Sequence, residues 1–376
     1  MNAESLMRLV VVNLSARTIS GGYEEYLKQF FTHAGKEPDI QGVLFIAVKA
    51  VTDKFAGMPK VQTLELGPLG ALLGSVRKVR QKIESFRPDV VYVPMEKRCK
   101  GLPKLPVVTM VQNMEPFVPP IAGNSLLWNL VLRKMRKRAI SAIRHSTHVI
   151  TLSEFAHQTV VRESGISPTK VSKIPHGMER NSLGKGSRPS SLDDSCSFIF
   201  TAGSLSPARG LEDVIKAFIL LRNSGQLAGF KLCIAGAVHK YSQRWYRRLA
   251  GEISRAGLDD EVKWLGFLGK DEMQWCFRNT RLFVVTSRVE SFCITAVEAM
   301  ANDAPVISAD SPCLPETLGK YATYYDAGDW HQLAQKIREN LGESSGKERI
   351  VPDSMISWDE NFAKTSAVFH NLTNKR

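Results

Sequence analysis

The sequence predicts an α/β protein of two doubly wound domains. Three observations carry that prediction. Strand-like apolar runs alternate with helical segments from the start of the chain. The alternation stops at a polar, Gly/Ser-rich stretch over residues 180–194 and then begins again. At 376 residues the chain is also too long for one hydrophobic core to be the default.

The elements follow in order. Residues 9–14 read as the first strand, and Gly21-Gly22 precede a helix over about residues 23–33. Residues 43–48, 90–93, 107–111 and 149–152 read as later strands, which gives a first domain over residues 1–180. Residues 181–196 read as a linker. The alternation then restarts with a strand over 198–202, a helix over 212–223, and strands over 231–235, 263–266, 282–285 and 306–309. These make a second domain over residues 197–355. Residues 357–371, within a final segment 356–376, read as a helix carrying Trp358, Phe362 and Phe369. Doubly wound sheets place a ligand crevice at the carboxyl ends of their strands.

Composition bounds the function. The net charge of +13 and pI near 9.5 point to an anionic surface, polymer or ligand. The six cysteines lack C-x-x-C spacing, so free thiols in a reducing compartment are expected, with no disulfide frame or zinc site. No Asp-x-Asp occurs and the histidines lack ligand spacing, so no metal is expected. The first residues lack a signal-peptide apolar segment, and the protein is read as cytoplasmic.

The most informative stretch is Glu290 to Glu298, two carboxylates with seven residues between them, an apolar strand before the first and a helix-forming run around the second. The loop between them opens a helix, whose free N–H groups attract phosphate. Glu298, about one turn in, can accept hydrogen bonds from a vicinal diol such as a ribose. Glu290 can reach the group beyond the phosphates. Taken by spacing alone, the same residues also read as a helix with two surface glutamates.

Glu290-Ser291-Phe292-Cys293-Ile294, then Glu298-Ala299-Met300-Ala301 and Ala304-Pro305-Val306-Ile307, resemble the carboxy-terminal signature of family-4 glycosyltransferases of the GT-B fold. The resemblance implies two Rossmann-like domains facing a central cleft, with the C-terminal helix crossing back onto the first. Ser291, Cys293 and Ala304 stand where that family usually has glycine, which leaves the backbone less free to approach phosphate. Phe292, Cys293 and Ile294 join Glu298 in the implied donor-binding set.

Further matches extend the resemblance. In Gly203-Ser204-Leu205-Ser206-Pro207-Ala208-Arg209-Gly210, Arg209 sits at the family's lysine position and can grip the donor diphosphate. Ser204 replaces the usual arginine, so one cation is missing; its hydroxyl and the nearby N–H groups can partly compensate, which keeps Ser204 in the implied donor-binding set. Gly21-Gly22 resemble the family's amino-terminal loop, with Gly22 toward the donor phosphates and Gly21 toward the acceptor; as residues alone they read equally as a turn. Many relatives have a histidine near Gln112-Asn113. These amides can bind a sugar hydroxyl but cannot act as a base, and Asn113 reads equally as a capping amide at a strand end. His176, in Ile174-Pro175-His176-Gly177, replaces an asparagine and is read as structural. Phe267 lies in the loop that meets the nucleobase in relatives.

The segment Leu126–Arg144 mixes leucines with Arg133, Lys134, Arg136, Lys137 and Arg138, and Trp128 lies near its start. Such a helix can lie on an anionic bilayer or be a solvated face packed by its leucines.

The resemblance implies a retaining glycosyltransferase using a UDP- or GDP-linked sugar as co-substrate, with no further cofactor. Glu290 and Arg209 carry catalysis, on the donor sugar and the departing diphosphate; Glu298 holds the ribose. The implied acceptor is a saccharide or lipid-linked saccharide of an envelope polysaccharide such as lipopolysaccharide, met at the inner face of the membrane. A sugar-nucleotide epimerase or hydrolase on the same architecture would consume donor without an acceptor. A basic nucleic-acid-binding protein would need clustered basic and aromatic residues on a reading surface, and no such motif occurs; no nucleic-acid partner is expected.

Overall fold

Short apolar runs become thirteen strands among the residues that the computed structural model describes (6–16, 19, 21–178, 186–192, 197–342 and 355–374). They are β1 (Met7–Val12), β2 (Ile40–Ala47), β3 (Val61–Glu65), β4 (Val90–Val93), β5 (Val107–Val111), β6 (His148–Thr151), β7 (Val171–Lys173), β8 (Ser197–Ala202), β9 (Phe230–Ala235), β10 (Val262–Gly266), β11 (Leu282–Val285), β12 (Val306–Ala309) and β13 (Ala322–Tyr325). The helices are α1 (Gly21–Lys36), α2 (Lys49–Thr52), α3 (Pro68–Leu73), α4 (Arg80–Phe86), α5 (Leu126–Arg144), α6 (Glu154–Ser164) and α7 (Leu211–Asn223). They continue with α8 (Gln243–Arg255), α9 (Lys270–Asn279), α10 (Ile294–Ala301), α11 (Leu314–Leu318), α12 (Trp330–Gly342) and α13 (Trp358–Thr373).

Chain contacts divide these elements into two units. The first takes residues 1–117, 133–177 and 356–376; the second takes 118–132 and 178–355. In the first, a parallel sheet runs β3-β2-β1-β4-β5-β6-β7. Its central strand β4 is buried at every position, which is why the sequence there is a plain apolar run. Helix α13 packs on α1 of this unit. Phe30 meets Phe362 at 5.4 Å and Phe369 at 6.3 Å between ring centroids. His33 pairs with Asp359 at 3.1 Å, His370 with Asp39 at 2.5 Å, and Asn361 Nδ2 donates to the Pro175 carbonyl at 2.5 Å. The buried stripe Trp358, Phe362 and Phe369 on α13 is the face its aromatic spacing predicts.

In the second unit the parallel sheet runs β10-β9-β8-β11-β12-β13. Phe200, Phe277 and Phe283 interlock on one face, with centroids 5.2–5.7 Å apart. Ile199, Val214, Phe218, Leu249 and Ile337 fill the other core.

Three features differ from the sequence expectation. Strands β3, β7 and β13 were not expected. Residues 118–132 group with the second unit because Trp128 stacks on Tyr241 at 5.1 Å and Gly123 abuts Trp245. Of the linker 181–196, residues 186–192 pack against the second unit, with Ser187 N–H donating to the Asp271 carbonyl at 3.2 Å and Leu192 buried; residues 181–185 and 193–196 lie outside the described residues.

Candidate active site

In the second unit the chain leaves β8 toward β9 on one side and β11 toward β12 on the other. The carboxyl ends of β8 and β11 are therefore the switch point at which an open α/β sheet leaves a crevice. Two loops occupy it. The loop after β8 closes with a 3-10 turn, Pro207–Arg209, and a left-handed Gly210. The loop after β11 leads through Thr286 to Cys293 into α10.

These loops are tied together. Arg288 N–H donates to the Ala208 carbonyl at 2.8 Å, and Thr286 Oγ1 donates to the Arg209 carbonyl at 2.5 Å. A Cβ on Gly210 would lie 2.3 Å from the Thr286 carbonyl oxygen, so only glycine allows this approach. The ties aim Arg209 at Glu290: the guanidinium Nη1 pairs directly with Glu290 Oε1 and reaches Ser287 Oγ at 3.2 Å. Ser287 Oγ in turn donates to Glu290 Oε1 at 2.8 Å. Glu290 is nearly enclosed, with 12% of its side chain exposed. Among the described residues, Arg209 Nε and Nη2 make no hydrogen bond, which leaves donors of the fixed guanidinium fork for a second anion.

A second ion pair underpins the first. Arg288 makes two 2.6 Å bonds to Asp213 in the first turn of α7. Tyr325 O–H (2.9 Å) and Gly328 N–H (3.0 Å) also donate to Asp213 Oδ2. Sequence reading missed this network. Its one visible signal is Asp213, an acid inside the apolar run that builds α7.

Cys293, at the amino end of α10, has φ +67°. The left-handed backbone that makes glycine usual here is thus kept by a cysteine, at a cost on the order of 1 kcal/mol. Burial pushes its thiol pKa up, while Arg209 nearby pulls it down; Glu298 also acts on it. Glu298 is half-buried in the second turn of α10. The structure therefore brings Arg209, Glu290, Cys293 and Glu298 to one place. The Phe292 side chain is core, 3% exposed, so only its backbone could face a ligand. Ile294 opens α10, Ser204 is exposed at the β8 end, and Phe267 stands 75% exposed after the left-handed Gly266 that ends β10. A small pocket lined by Gly203, Arg209, Thr286, Ser287 and Thr295 marks the switch point itself.

The first unit carries Gly21, Gly22 and Asn113. Gly21 and Gly22 form the first turn of α1, and a Cβ on Gly21 would meet nothing within 4 Å. Asn113 Oδ1 accepts from Glu115 N–H at 3.0 Å, the capping arrangement. Its neighbour Gln112 donates its backbone N–H to Glu96 Oε2 at 3.2 Å and its side-chain amide to the Pro94 carbonyl at 2.9 Å. Burial pushes the Glu96 pKa up. His176, 6% exposed and 5.1 Å from the Tyr26 ring, has its pKa pushed down to about 4 by burial.

Among the described residues, no group of three or more His, Cys, Asp or Glu could hold a metal ion, and no helix is long and apolar enough to cross a membrane.

Residues 187–352 match the family described as glycosyl transferases group 1, and residues 28–181 match glycosyltransferase family 4. The chain is 26% identical over 138 residues to mannosylfructose-phosphate synthase of Agrobacterium fabrum, covering 36% of this chain and 30% of that one. It is 22% identical over 169 residues to O-antigen chain mannosyltransferase B of Escherichia coli, covering 43% of each. The matched region thus spans less than half the length of these curated relatives. Among solved structures, HepE of Anabaena in complex with UDP and glucose superposes with a TM-score of 0.74 at 19% identity, covering 97% of this chain and 100% of that one. With two Rossmann-like domains of the GT-B fold, the chain belongs to the family-4, group 1 glycosyltransferases.

Proposed function

We propose that the protein is a retaining glycosyltransferase that moves a sugar from a UDP- or GDP-linked donor to a saccharide or lipid-linked saccharide acceptor in envelope polysaccharide synthesis. The observation that carries this reading is the Arg209–Glu290–Ser287 group at the switch point of the second sheet, directly ahead of α10 and Glu298. Arg209 offers its remaining N–H donors to the diphosphate, and the backbone amides at the start of α10 add theirs. Glu298 accepts from the ribose hydroxyls. Glu290 lies against the donor sugar and stabilises the positive charge that develops there. The bond from the sugar's anomeric carbon to the phosphate oxygen breaks, with its electron pair going to the diphosphate. The acceptor oxygen bonds on the same face, and its proton passes to the leaving phosphate. That route suits a first unit whose Gln112 and Asn113 supply amides where relatives have a histidine. Because Arg209 and backbone amides meet the phosphate charge, no metal is required.

The membrane part of the reading rests on α5. Leu126, Leu127 and Leu130 are exposed, as are Arg133, Lys134, Lys137 and Arg138. Trp128 and Arg136 are withdrawn from that face: Trp128 is buried on Tyr241 and Arg136 pairs with Glu163, while exposed Arg144 donates to the Ser164 carbonyl. The site of action is then the inner face of the cytoplasmic membrane.

Thermal shift against a panel of UDP- and GDP-sugars tests the donor, since a ligand of the folded state raises the melting temperature. A cognate donor shifts it with or without chelator. No shift with any donor would sink the reading. The anomeric configuration of the product, read by NMR, tests retention.

A further inference from the structure

Nine large hydrophobic side chains are exposed among the described residues, and six of them form two triplets. One opens α5. The other is Leu69 (64% exposed), Leu72 (60%) and Leu73 (58%) on α3, and nothing above uses it. The spacing i, i+3, i+4 puts the three on one face of that short helix. Leu66, Ala71 and Val76 are buried and hold the segment down, so the outward face is presented by a seated element.

The surroundings of this face are basic. Residues 66–83 contain four lysines and arginines and no acid. The loop 97–101 is bound to the end of α3: Lys100 N–H donates to the Gly74 carbonyl at 2.6 Å, and Val76 N–H donates to the Lys100 carbonyl at 2.9 Å. That brings exposed Arg98 and Lys100 beside exposed Arg77 and Lys78. Arg138 of α5 lies near enough to Lys97 for their charges to interact. Among the described residues, Arg77, Lys78, Arg98 and Lys100 have no acidic partner within salt-bridge distance. The bias belongs to the whole first unit, which holds 28 lysines and arginines against 15 acids, while the second holds 22 of each.

We propose that α3 is a lipid-inserting wedge: Leu69, Leu72 and Leu73 enter the interfacial layer of an anionic phospholipid bilayer, and Arg77, Lys78, Arg98 and Lys100 engage its phosphates. Exposed leucines ringed by unpaired cations are the combination that interfacial elements use, shallow apolar burial plus attraction to anionic headgroups. A bilayer satisfies both without a shape-matched surface. The proposal extends the membrane reading of α5 to a separate set of residues, and the test separates the two.

The full chain is sedimented with phosphatidylcholine vesicles containing phosphatidylglycerol, and with phosphatidylcholine alone. The parent should bind the anionic vesicles and bind neutral ones weakly. Leu69→Gln/Leu72→Gln/Leu73→Gln should lower partitioning about tenfold or more, because each leucine contributes several buried methylene equivalents. Its donor-induced thermal shift should match the parent. Arg133→Gln/Lys134→Gln/Lys137→Gln/Arg138→Gln reports on α5 in parallel. If the α5 variant loses binding and the α3 triple variant does not, the wedge is overturned and α5 stands. If the parent binds neither vesicle, both fail. Should the triple variant misfold, Leu72→Trp decides: its emission should move to the blue on adding anionic vesicles and be quenched by spin-labelled lipid. An unmoved spectrum overturns the wedge.

Discussion

The two units share one sheet order and differ in how they handle charge. In each, the first strand lies between the second and the fourth, and the switch point falls at the same place. The second unit is formally neutral, yet its switch point is built from ion pairs, Arg209 with Glu290 and Arg288 with Asp213. The first unit carries the whole net charge, yet no carboxylate–cation salt bridge ties the loops at its switch point among the described residues; there Lys97 donates to the Leu14 carbonyl at 2.9 Å. Asn13 is fully buried there, Tyr26 and Tyr92 join hydroxyls, and Glu96 has its pKa raised by burial. Topology fixes where a crevice lies, and local side chains fix the ligand it suits. Under the proposed function, the paired charges meet the diphosphate, and the amides and hydroxyls of the first unit meet the saccharide.

The comparison can be broken at the ion pairs, where the largest effects are expected. Asp213→Ala leaves Arg288 half-buried without its carboxylate, and urea unfolding should show a loss of about 3–5 kcal/mol. A loss below about 1 kcal/mol would mean that charge does not hold the second unit together. Arg209→Ala should cut turnover about 10²–10³-fold, as for removal of one donor to a developing anion. Donor affinity should fall less, and steady-state kinetics separate the two. A raised Michaelis constant with unchanged turnover contradicts the assigned role.

Glu298→Ala should weaken donor binding by about 1.5–3 kcal/mol in calorimetry, the worth of a charged hydrogen bond. Unchanged affinity in a folded variant removes Glu298 from the site. The last test sharpens the first-unit side, where the effect per pH unit is small. His176 is held neutral down to about pH 4, whereas in the unfolded chain it protonates near its ordinary 6.5. Between those values the unfolded state binds more protons, so stability should rise with pH by up to about 1.4 kcal/mol per unit and level off above. His176→Asn should flatten that window. An unchanged slope would assign it to other groups.

Much of this architecture is legible in the sequence because fully buried parallel strands are plain apolar runs; β4, β11 and β12 are buried at every position and fall where expected. The three missed strands, β3, β7 and β13, are all sheet edges. β3 is half exposed and reads Val-Gln-Thr-Leu-Glu, and β7 has three residues. Glu290, Glu298 and Arg209 stood out because each lies in a local pattern. Their mutual arrangement did not: the partners Arg209 and Glu290 are 81 residues apart, as Asp213 and Arg288 are 75 apart. Gln-Asn at a strand end leaves two readings open, and Asn113 takes the capping one with its side-chain oxygen.

The Arg209–Glu290 pair has a consequence for the end of the catalytic cycle. A guanidinium already matched to a carboxylate gains less from each phosphate than a solitary one, because the carboxylate offsets part of its charge even where donors remain free. Tight hold on the ground state, of substrate or of spent nucleotide, adds nothing to the chemical step. In the proposed cycle Glu290 is therefore a built-in counterweight. By offsetting the arginine's charge it tempers donor entry and eases departure of the nucleoside diphosphate, the step that often limits turnover.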